Sequence, residues 1–231
     1  MRVTPYGNEE VLDYGAAAFA LAIPLSCLVV PWAGAVPVAV WILMLAFFRD
    51  PERSPEGGTG DLVAPADGRV TDVVEAAHPF MEGRPARRIG IFLSVFDVHV
   101  NRSPAAGRVA HLAYRPGAFR DARSLDASRV NESQEMGIET PSGGRLLVRQ
   151  ISGAIARRIV CAVRPGQLLS RGERYGMIKF GSRAEVYLDP RDYEIAVKPG
   201  DVVRGGRTIL ARAASGAGRA AGTPSAERAS A

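Results

Sequence analysis

The first pattern along the chain is an uncharged apolar stretch from Tyr14 to Phe48. A membrane-spanning helix needs about 20 apolar residues, so this stretch is too long for one buried helix. Helix-breaking Pro24, Pro31, Gly34 and Pro37 interrupt it. The pattern therefore predicts two short apolar helices, at about 15–30 and 35–48, joined by a turn.

The residues that flank this stretch argue against a cleaved signal peptide. Only one basic residue, Arg2, precedes the acidic Glu9 and Glu10, whereas a signal peptide has a basic start and a shorter apolar core. Arg49 and Arg53 follow the stretch, and basic flanks favour the cytoplasmic side of a membrane. We expect a membrane hairpin at 14–48 with both ends in the cytoplasm. A re-entrant or interfacial hairpin and, for a soluble protein, a hairpin buried in a globular core remain alternatives.

Downstream of the hairpin, short β-branched or alternating segments are bounded by glycine and proline, which is typical of strands. We expect an N-terminal segment at 1–13, a linker at 49–60, a mainly β (α+β) domain at 61–212 and a disordered Ala/Gly/Ser-rich tail at 213–231. The predicted strands are Arg69–Val74, Arg88–Leu93, Arg145–Ile151, Arg158–Val163, Ala184–Leu188 and Thr208–Ala211.

A motif of the form V-x-P-G-x5-G occurs twice, at 163–172 and 197–206. Pro-Gly begins a tight turn and the apolar pair that follows re-enters the core, so the repeat predicts two hairpin turns in a quasi-symmetric β structure. These turns, together with Ala64–Val70, resemble the lipoyl/biotinyl-like PG-turn hairpins of carrier domains.

The composition narrows the chemistry. The net charge is +5, and lysine occurs only at 179 and 198, so the basic side is almost all arginine. Two cysteines and three histidines are too few for a disulfide scaffold or a histidine-rich metal centre. We therefore expect no metal. Next to an apolar hairpin the arginines fit an anionic lipid surface, and we expect no nucleic acid as a partner.

A Gly181-Ser182 pair lies between two apolar strand segments. A plain β-turn explains the dipeptide alone. The alternative is self-cleavage, in which the serine hydroxyl attacks the preceding carbonyl, and glycine removes the Cβ that would obstruct that approach. Loss of the serine α-proton then splits the chain and leaves a pyruvoyl group, a carbonyl electron sink comparable to PLP.

Self-cleavage needs a base, and His99 is the best candidate. It follows an apolar strand and precedes a Ser-Pro turn. Asp67, in a Pro-Ala-Asp-Gly segment, is either a turn residue or a carboxylate that orients His99. His78 and His111 are expected to be surface or packing residues.

Five segments in this order and spacing resemble the phosphatidylserine decarboxylase proenzymes of the short bacterial and archaeal branch. They are the Pro-Ala-Asp-Gly segment of Asp67, Asp97–Arg102, Pro116–Phe119, Val130–Glu132 and Lys179–Ser182. The resemblance covers roughly residues 47–212.

The resemblance implies a self-cleaved carboxy-lyase of phospholipid biosynthesis at the cytoplasmic side of the cell membrane. Cleavage between Gly181 and Ser182 would give a heterodimer of a large β subunit, 1–181, and a small α subunit, 182–231, with further oligomerisation open. The pyruvoyl group made from Ser182 would be the only cofactor, without a metal. It would form a Schiff base with phosphatidylserine, which loses CO2 and leaves as phosphatidylethanolamine. Asp67 and His99 would support self-processing, and His99 would also return a proton after decarboxylation.

Two positions depart from the family pattern. Arg102 stands where the longer branch has a second histidine, and Ser133 stands where the family usually has arginine. Arg102 is therefore a candidate for binding the substrate carboxylate or phosphate, because guanidinium forms bidentate hydrogen bonds. A solvated surface arginine is the alternative.

Two other functions fit parts of the sequence. A membrane-tethered biotinyl- or lipoyl-like carrier domain would be modified on Lys179, which the repeated turns favour. A non-enzymatic protein that binds anionic lipid would explain the hairpin and the arginines, but not the set of Asp67, His99 and Gly181-Ser182.

Overall fold

The computed structural model describes residues 2–124, 126–154, 158–179 and 182–214 of the chain. Its helices are α1 (Asn8–Leu28), α2 (Ala35–Phe47) and the short α3 (Ala127–Val130). Its strands are β1 (Leu62–Val63), β2 (Gly68–Ala76), β3 (Ala86–Leu93), β4 (Val100–Arg102), β5 (Gly107–Arg115), β6 (Ser133–Glu139), β7 (Arg145–Ile151), β8 (Arg158–Cys161), β9 (Leu168–Leu169), β10 (Arg174–Lys179), β11 (Ser182–Leu188), β12 (Tyr193–Ile195), β13 (Val202–Val203) and β14 (Ile209–Ala213).

The two apolar helices form the predicted hairpin, but α1 begins at Asn8 rather than near residue 15. Glu9 and Glu10 occupy its first turn, where carboxylates are stabilised by the positive end of the helix dipole. The helices pack directly, and the indole Nε1 of Trp41 in α2 donates to the Val11 carbonyl in α1 at 3.0 Å.

Much of the apolar surface of the hairpin faces outward. The segment Pro5–Leu28 is long and apolar enough to cross a membrane, and only 17% of its apolar window is buried. Helix α2 has 13 residues, fewer than the roughly 20 that a full span needs. This exposure does not fit the soluble alternative of a buried core hairpin. The exposed side chains include Leu12, Phe19, Leu21, Ile23, Leu28, Trp32, Val36, Val40, Ile42 and Leu43.

The rest of the described chain is mainly β, as predicted. An eight-stranded antiparallel sheet has the order β13-β2-β3-β11-β7-β6-β5-β9. Two three-stranded sheets, β4-β10-β8 and β1-β14-β12, accompany it. The main hydrophobic core contains residues of all three sheets, including Ile91, Leu146, Tyr175, Val186 and Leu210.

The repeated motif marks a quasi-two-fold symmetry. In both copies the two glycines have positive φ, +84° and +80° at Gly166 and Gly172 and +97° and +72° at Gly200 and Gly206. Such angles favour glycine because it lacks a Cβ.

Each copy of the motif meets an equivalent partner segment, 64–70 or 103–109. The Gly206 amide donates to the Ala64 carbonyl at 2.7 Å, and the Gly172 amide donates to the Ser103 carbonyl at 2.8 Å. The predicted quasi-symmetric turns are therefore present, while the closer likeness to carrier domains remains a prediction.

The segment 49–60 has no helix or strand, but its first residues are docked on the β domain. Asp50 is almost completely buried and pairs with Arg102 at 2.8 Å and Arg174 at 2.5 Å. At the other end of the hairpin, the Thr4 amide donates to the Phe48 carbonyl at 2.9 Å. Both ends of the hairpin therefore lie on the same face of the β domain.

Candidate active site

Three strand ends meet at one end of the large sheet. Strand β3 is antiparallel to both β2 and β11, so the end of β3 lies beside the beginnings of the other two. Asp67 immediately precedes β2, Ser182 begins β11 opposite Leu93, and His99 lies shortly beyond the end of β3. The fold thus brings the three predicted residues to one region.

Ser182 is completely buried at the start of β11. Its Oγ has no hydrogen-bond partner among the residues that the structure describes. Ala66, Leu93 and Ala184 form a small apolar cluster next to this strand end. Gly181, on the other side of the predicted cleavage point, lies outside the described residues.

His99 is also completely buried, and its hydrogen bonding fixes its tautomer. The ring Nδ1 lies 2.9 Å from the carbonyl oxygen of Asp97. Because a carbonyl oxygen only accepts, Nδ1 must carry the hydrogen, and in the neutral ring Nε2 then has a free lone pair. Within the described part of the chain Nε2 has no hydrogen-bond partner, so it is available to take a proton.

Burial lowers the pKa of His99 from 6.5 to about 4. The Asp97 carbonyl and the carboxylates of Asp97 and Asp67 act in the opposite direction, and Arg49 adds to the lowering. The ring is therefore neutral at neutral pH, which is the state that a general base requires.

Asp67 makes no hydrogen bond to His99 in this structure. Its carboxylate accepts hydrogen bonds from the guanidinium of Arg53, with Nη2 at 2.8 Å from Oδ2, and from the Gly205 amide at 2.7 Å. Since Nδ1 of His99 meets a backbone carbonyl, the predicted direct orientation of His99 by Asp67 is not the arrangement here. Asp67 acts on His99 only through its charge.

The quasi-symmetry helps to decide whether Asp67 is merely a turn residue. Ala106 occupies the equivalent place, before Gly107, in the second copy of the turn. A turn of similar outline therefore forms without a carboxylate, although Gly68 has a φ of +146° and Gly107 has no positive φ. The Asp67 carboxylate also contacts Arg53 and the Gly205 amide, and its charge acts on His99, so Asp67 does more than form a turn.

Arg102 is neither solvated nor open toward a substrate. It is buried, and its guanidinium donates to the Asp50 carboxylate at 2.8 Å, to the Pro51 carbonyl at 2.9 Å and to the Gly172 carbonyl at 3.2 Å. The alternative of a surface arginine is wrong. Because these contacts occupy the guanidinium, they favour a structural role in docking the segment after the hairpin, and we do not carry Arg102 into the proposed substrate site.

An amide pair lies near Ser182 that the sequence did not single out. Gln150 of β7 lies opposite Ala184 of β11, and its Nε2 donates to Oδ1 of Asn101 at 2.8 Å. Both residues are buried, and Nδ2 of Asn101 and Oε1 of Gln150 have no partner among the described residues. The available signal was that Gln150 shares one face of β7 with the apolar residues Leu146 and Val148.

Arg183 was also missed. The residue after Ser182 points to the opposite face of the sheet, where it is completely buried. Its guanidinium donates to Glu185 at 2.8 Å, to the Thr71 hydroxyl at 2.8 Å and to Asp72 at 2.5 Å. These contacts hold the beginning of β11 in place independently of the chain before Ser182.

Lys179 is buried and forms an ion pair with Glu10 of α1, with its Nζ 5.8 Å from the centre of the Phe48 ring. A carrier lysine must be reachable by a modifying enzyme, so this placement does not support the carrier alternative.

His78 accepts a hydrogen bond from the Phe80 amide at 3.2 Å, and its ring contacts Glu135, consistent with a packing role.

Comparison with known proteins identifies the family of the chain. A sequence model of the family described as phosphatidylserine decarboxylase matches residues 41–211. A phosphatidylserine decarboxylase proenzyme of Symbiobacterium thermophilum is 46% identical over 193 residues, which cover 83% of this chain and 89% of the relative. A proenzyme of Salinibacter ruber is 49% identical over 73% of this chain and 75% of its own length.

A third relative, the phosphatidylserine decarboxylase proenzyme of Chlorobium luteolum, is 41% identical over 91% of this chain and 99% of its own length. The match to the family thus spans the β domain, and in this relative it reaches into the apolar hairpin as well. The chain belongs to the phosphatidylserine decarboxylase family.

Proposed function

We propose that this chain is a proenzyme that cleaves itself between Gly181 and Ser182 and then decarboxylates phosphatidylserine to phosphatidylethanolamine at a membrane. Membership of the family makes the chain a carboxy-lyase that acts on phosphatidylserine. The observation that carries the self-cleavage is the pair of buried, unpartnered atoms at one end of the sheet, Oγ of Ser182 and Nε2 of His99, among the described residues.

The self-cleavage balances as an acyl shift followed by an elimination. Oγ of Ser182 attacks the Gly181 carbonyl, so the amide bond becomes an ester and the nitrogen of Ser182 becomes an amine. Nε2 of His99 takes the α-proton of Ser182, and the bond between Cβ and Oγ of Ser182 breaks. The products are a carboxylate at Gly181 and an N-terminal dehydroalanine, which water converts to the pyruvoyl group and ammonia.

The described residues around Ser182 fit a pyruvoyl group at this position. Ala66, Leu93 and Ala184 form a small apolar environment beside the completely buried Ser182, which would keep water away from a ketone there. When present, the pyruvoyl carbonyl supplies an electron sink for decarboxylation.

The residues of this chain hold the new N-terminus and move protons. Strand β11 pairs with β3 on one side and β7 on the other, and Arg183 anchors it from the opposite face. After the loss of CO2, the substrate carbon needs a proton, and a proton held at Nε2 of His99 can return from the same atom. Burial of His99 excludes water from this transfer.

The membrane location is part of the proposal. The outward apolar side chains of the hairpin suit a lipid environment, and both hairpin ends lie on the β domain, so the chain would enter and leave the bilayer from one side. Arg2 and Arg49 at the two ends favour the cytoplasmic side. The processed enzyme would be a heterodimer of 1–181 and 182–231.

Expression of the full chain and of Ser182→Ala, in a host that lacks its own enzyme, tests the function. Membranes with the native chain should release CO2 from carboxyl-labelled phosphatidylserine and form phosphatidylethanolamine, and the variant should do neither. Equal activity of the variant would refute the role of Ser182. Ser170→Ala, in an exposed turn, is the matched control and should retain full activity.

A further inference from the structure

The turn between β3 and His99 carries an exposed aromatic side chain. Phe96 has 78% of its surface exposed, and its neighbour Val95 has 40%. Single exposed apolar residues are common on proteins, so exposure alone carries no conclusion. The construction of the turn and its attachment distinguish this phenylalanine.

The turn is closed by its own hydrogen bonds. The Ser94 amide donates to the Asp97 carboxylate at 2.8 Å, and the Asp97 amide donates to the Ser94 carbonyl at 3.0 Å. The Phe96 amide also lies 3.4 Å from the Ser94 hydroxyl. Phe96 therefore projects from a fixed turn and gains no burial in the protein.

The same turn holds His99. The Asp97 carbonyl is the group that accepts from Nδ1 of His99. A displacement of Phe96 would therefore move the ring of the proposed base, because only Asp97 separates the two contacts.

Arg49 attaches the turn to the membrane hairpin. Its guanidinium donates to the Ala46 carbonyl at the end of α2, at 2.7 Å, and to the Phe96 carbonyl. Arg49 donates to these two carbonyls and forms no salt bridge within the described ranges. The exposed phenylalanine is thus held beside the end of the hairpin and next to a positive charge that has no ion-pair partner.

We propose that Ser94–Asp97 is a second membrane-contact element, in which Phe96 enters the interfacial region of an anionic phospholipid bilayer beside α2 while Arg49 faces lipid phosphate. Apolar side chains next to basic ones bind anionic bilayers in this way. Contact at the turn would hold His99, and with it the entrance to Ser182, at the surface where the substrate headgroup lies. The inference rests on the proposed function.

The test compares two forms of the substrate in the full-length protein. One is short-chain phosphatidylserine below its critical micelle concentration, and the other is phosphatidylserine in vesicles of phosphatidylethanolamine and phosphatidylglycerol. For Phe96→Ser, the ratio of kcat/KM on vesicles to kcat/KM on monomers should fall about tenfold, because one phenylalanine no longer leaves water for lipid. Phe96→Trp should keep the native ratio, since tryptophan favours the membrane interface.

Leu168→Ser is the matched control, because Leu168 is 75% exposed but lies on the edge strand β9. It should leave both rates unchanged. An unchanged ratio for Phe96→Ser would overturn the inference. If both rates fell by the same factor, the ratio would also be unchanged, and the loss would indicate a disturbed His99 instead. Failure of the native chain to process itself or to act on monomers would instead refute the proposed function.

Discussion

The ring of His99 packs against the ring of Phe47, with the centroids 4.3 Å apart and the planes inclined by 36°. Phe47 is the last residue of α2, so the end of the apolar hairpin forms one wall around the proposed base. This contact helps to keep His99 out of water. It links the segment that would lie in the membrane to the chemistry at Ser182.

The burial of His99 predicts a loss of stability at low pH. The pKa is about 4 in the folded chain against 6.5 for an exposed ring, so the unfolded state takes up the proton first as the pH falls through this window. The free energy of unfolding should therefore decrease by about 2 kcal/mol between about pH 7 and about pH 4.5 because of this residue. Above about pH 7 its contribution should be constant.

The measurement compares Ser182→Ala with Ser182→Ala, His99→Gln by urea unfolding in detergent at several pH values. The difference between the two should shrink or reverse as the pH falls. Parallel curves over the whole window would show that His99 is not buried as a neutral ring.

The charge that Asp67 places near His99 predicts that Asp67 is needed for processing. Asp67→Asn keeps the shape of the side chain but removes the charge that acts on His99 and pairs with Arg53. Cleavage during cell-free synthesis, followed on denaturing gels, should slow at least about tenfold, the scale on which positioned acid–base groups act. The matched variant Ala106→Asn should be cleaved at the native rate. If both variants behave alike, the charge of Asp67 has no special role.

The amide pair of Gln150 and Asn101 predicts a specific defect in processing. Gln150→Leu would leave Oδ1 of Asn101 unpaired in a buried position, which costs about 1–3 kcal/mol. We expect slower cleavage at Ser182, because β7 borders the beginning of β11. Gln134→Leu is the control, since Gln134 lies opposite Gln150 on the neighbouring strand and its side chain bonds only to a backbone carbonyl. Equal cleavage rates in the two variants would contradict a positioning role.

Arg183 predicts the largest effect on stability. Arg183→Met would leave the buried Glu185 and the partly buried Asp72 with Arg88 as a shared partner, a change that costs up to about 3–5 kcal/mol. Urea unfolding of the uncleaved Ser182→Ala chain, with and without this substitution, measures it. Arg123→Met, which removes a pair with Asp121 in which both side chains are exposed, should change the unfolding midpoint little. A small effect of Arg183→Met would mean that β11 is held by its backbone pairing alone.

The sequence predicted the elements whose patterns are local. Strand Arg145–Ile151 was predicted with its observed bounds, because a short apolar run with flanking glycines specifies it. The repeated Pro-Gly turns could be predicted because positive φ selects glycine. Helix α1 was placed too late, because its first two turns are polar and only the docked N-terminus explains them.

The contacts between distant segments could not be predicted from local patterns. Arg102 lies in a motif that suggested substrate binding, but its partner Asp50 lies in the segment that the sequence described only as a linker. Arg53, the partner of Asp67, lies in the same segment. Ion pairs such as these depend on how the chain returns to the β domain after the hairpin, and neither partner carries a signal of its own.

The mass of the C-terminal fragment tests the central claim most directly. Purification of the native chain from membranes and intact-mass analysis under denaturing conditions should give two polypeptides. The smaller should correspond to Ser182–Ala231, one ammonia lighter than the same peptide beginning with serine, as a pyruvoyl N-terminus requires. A single unmodified chain in a preparation that decarboxylates phosphatidylserine, or a fragment beginning with an intact serine amine, would contradict the account.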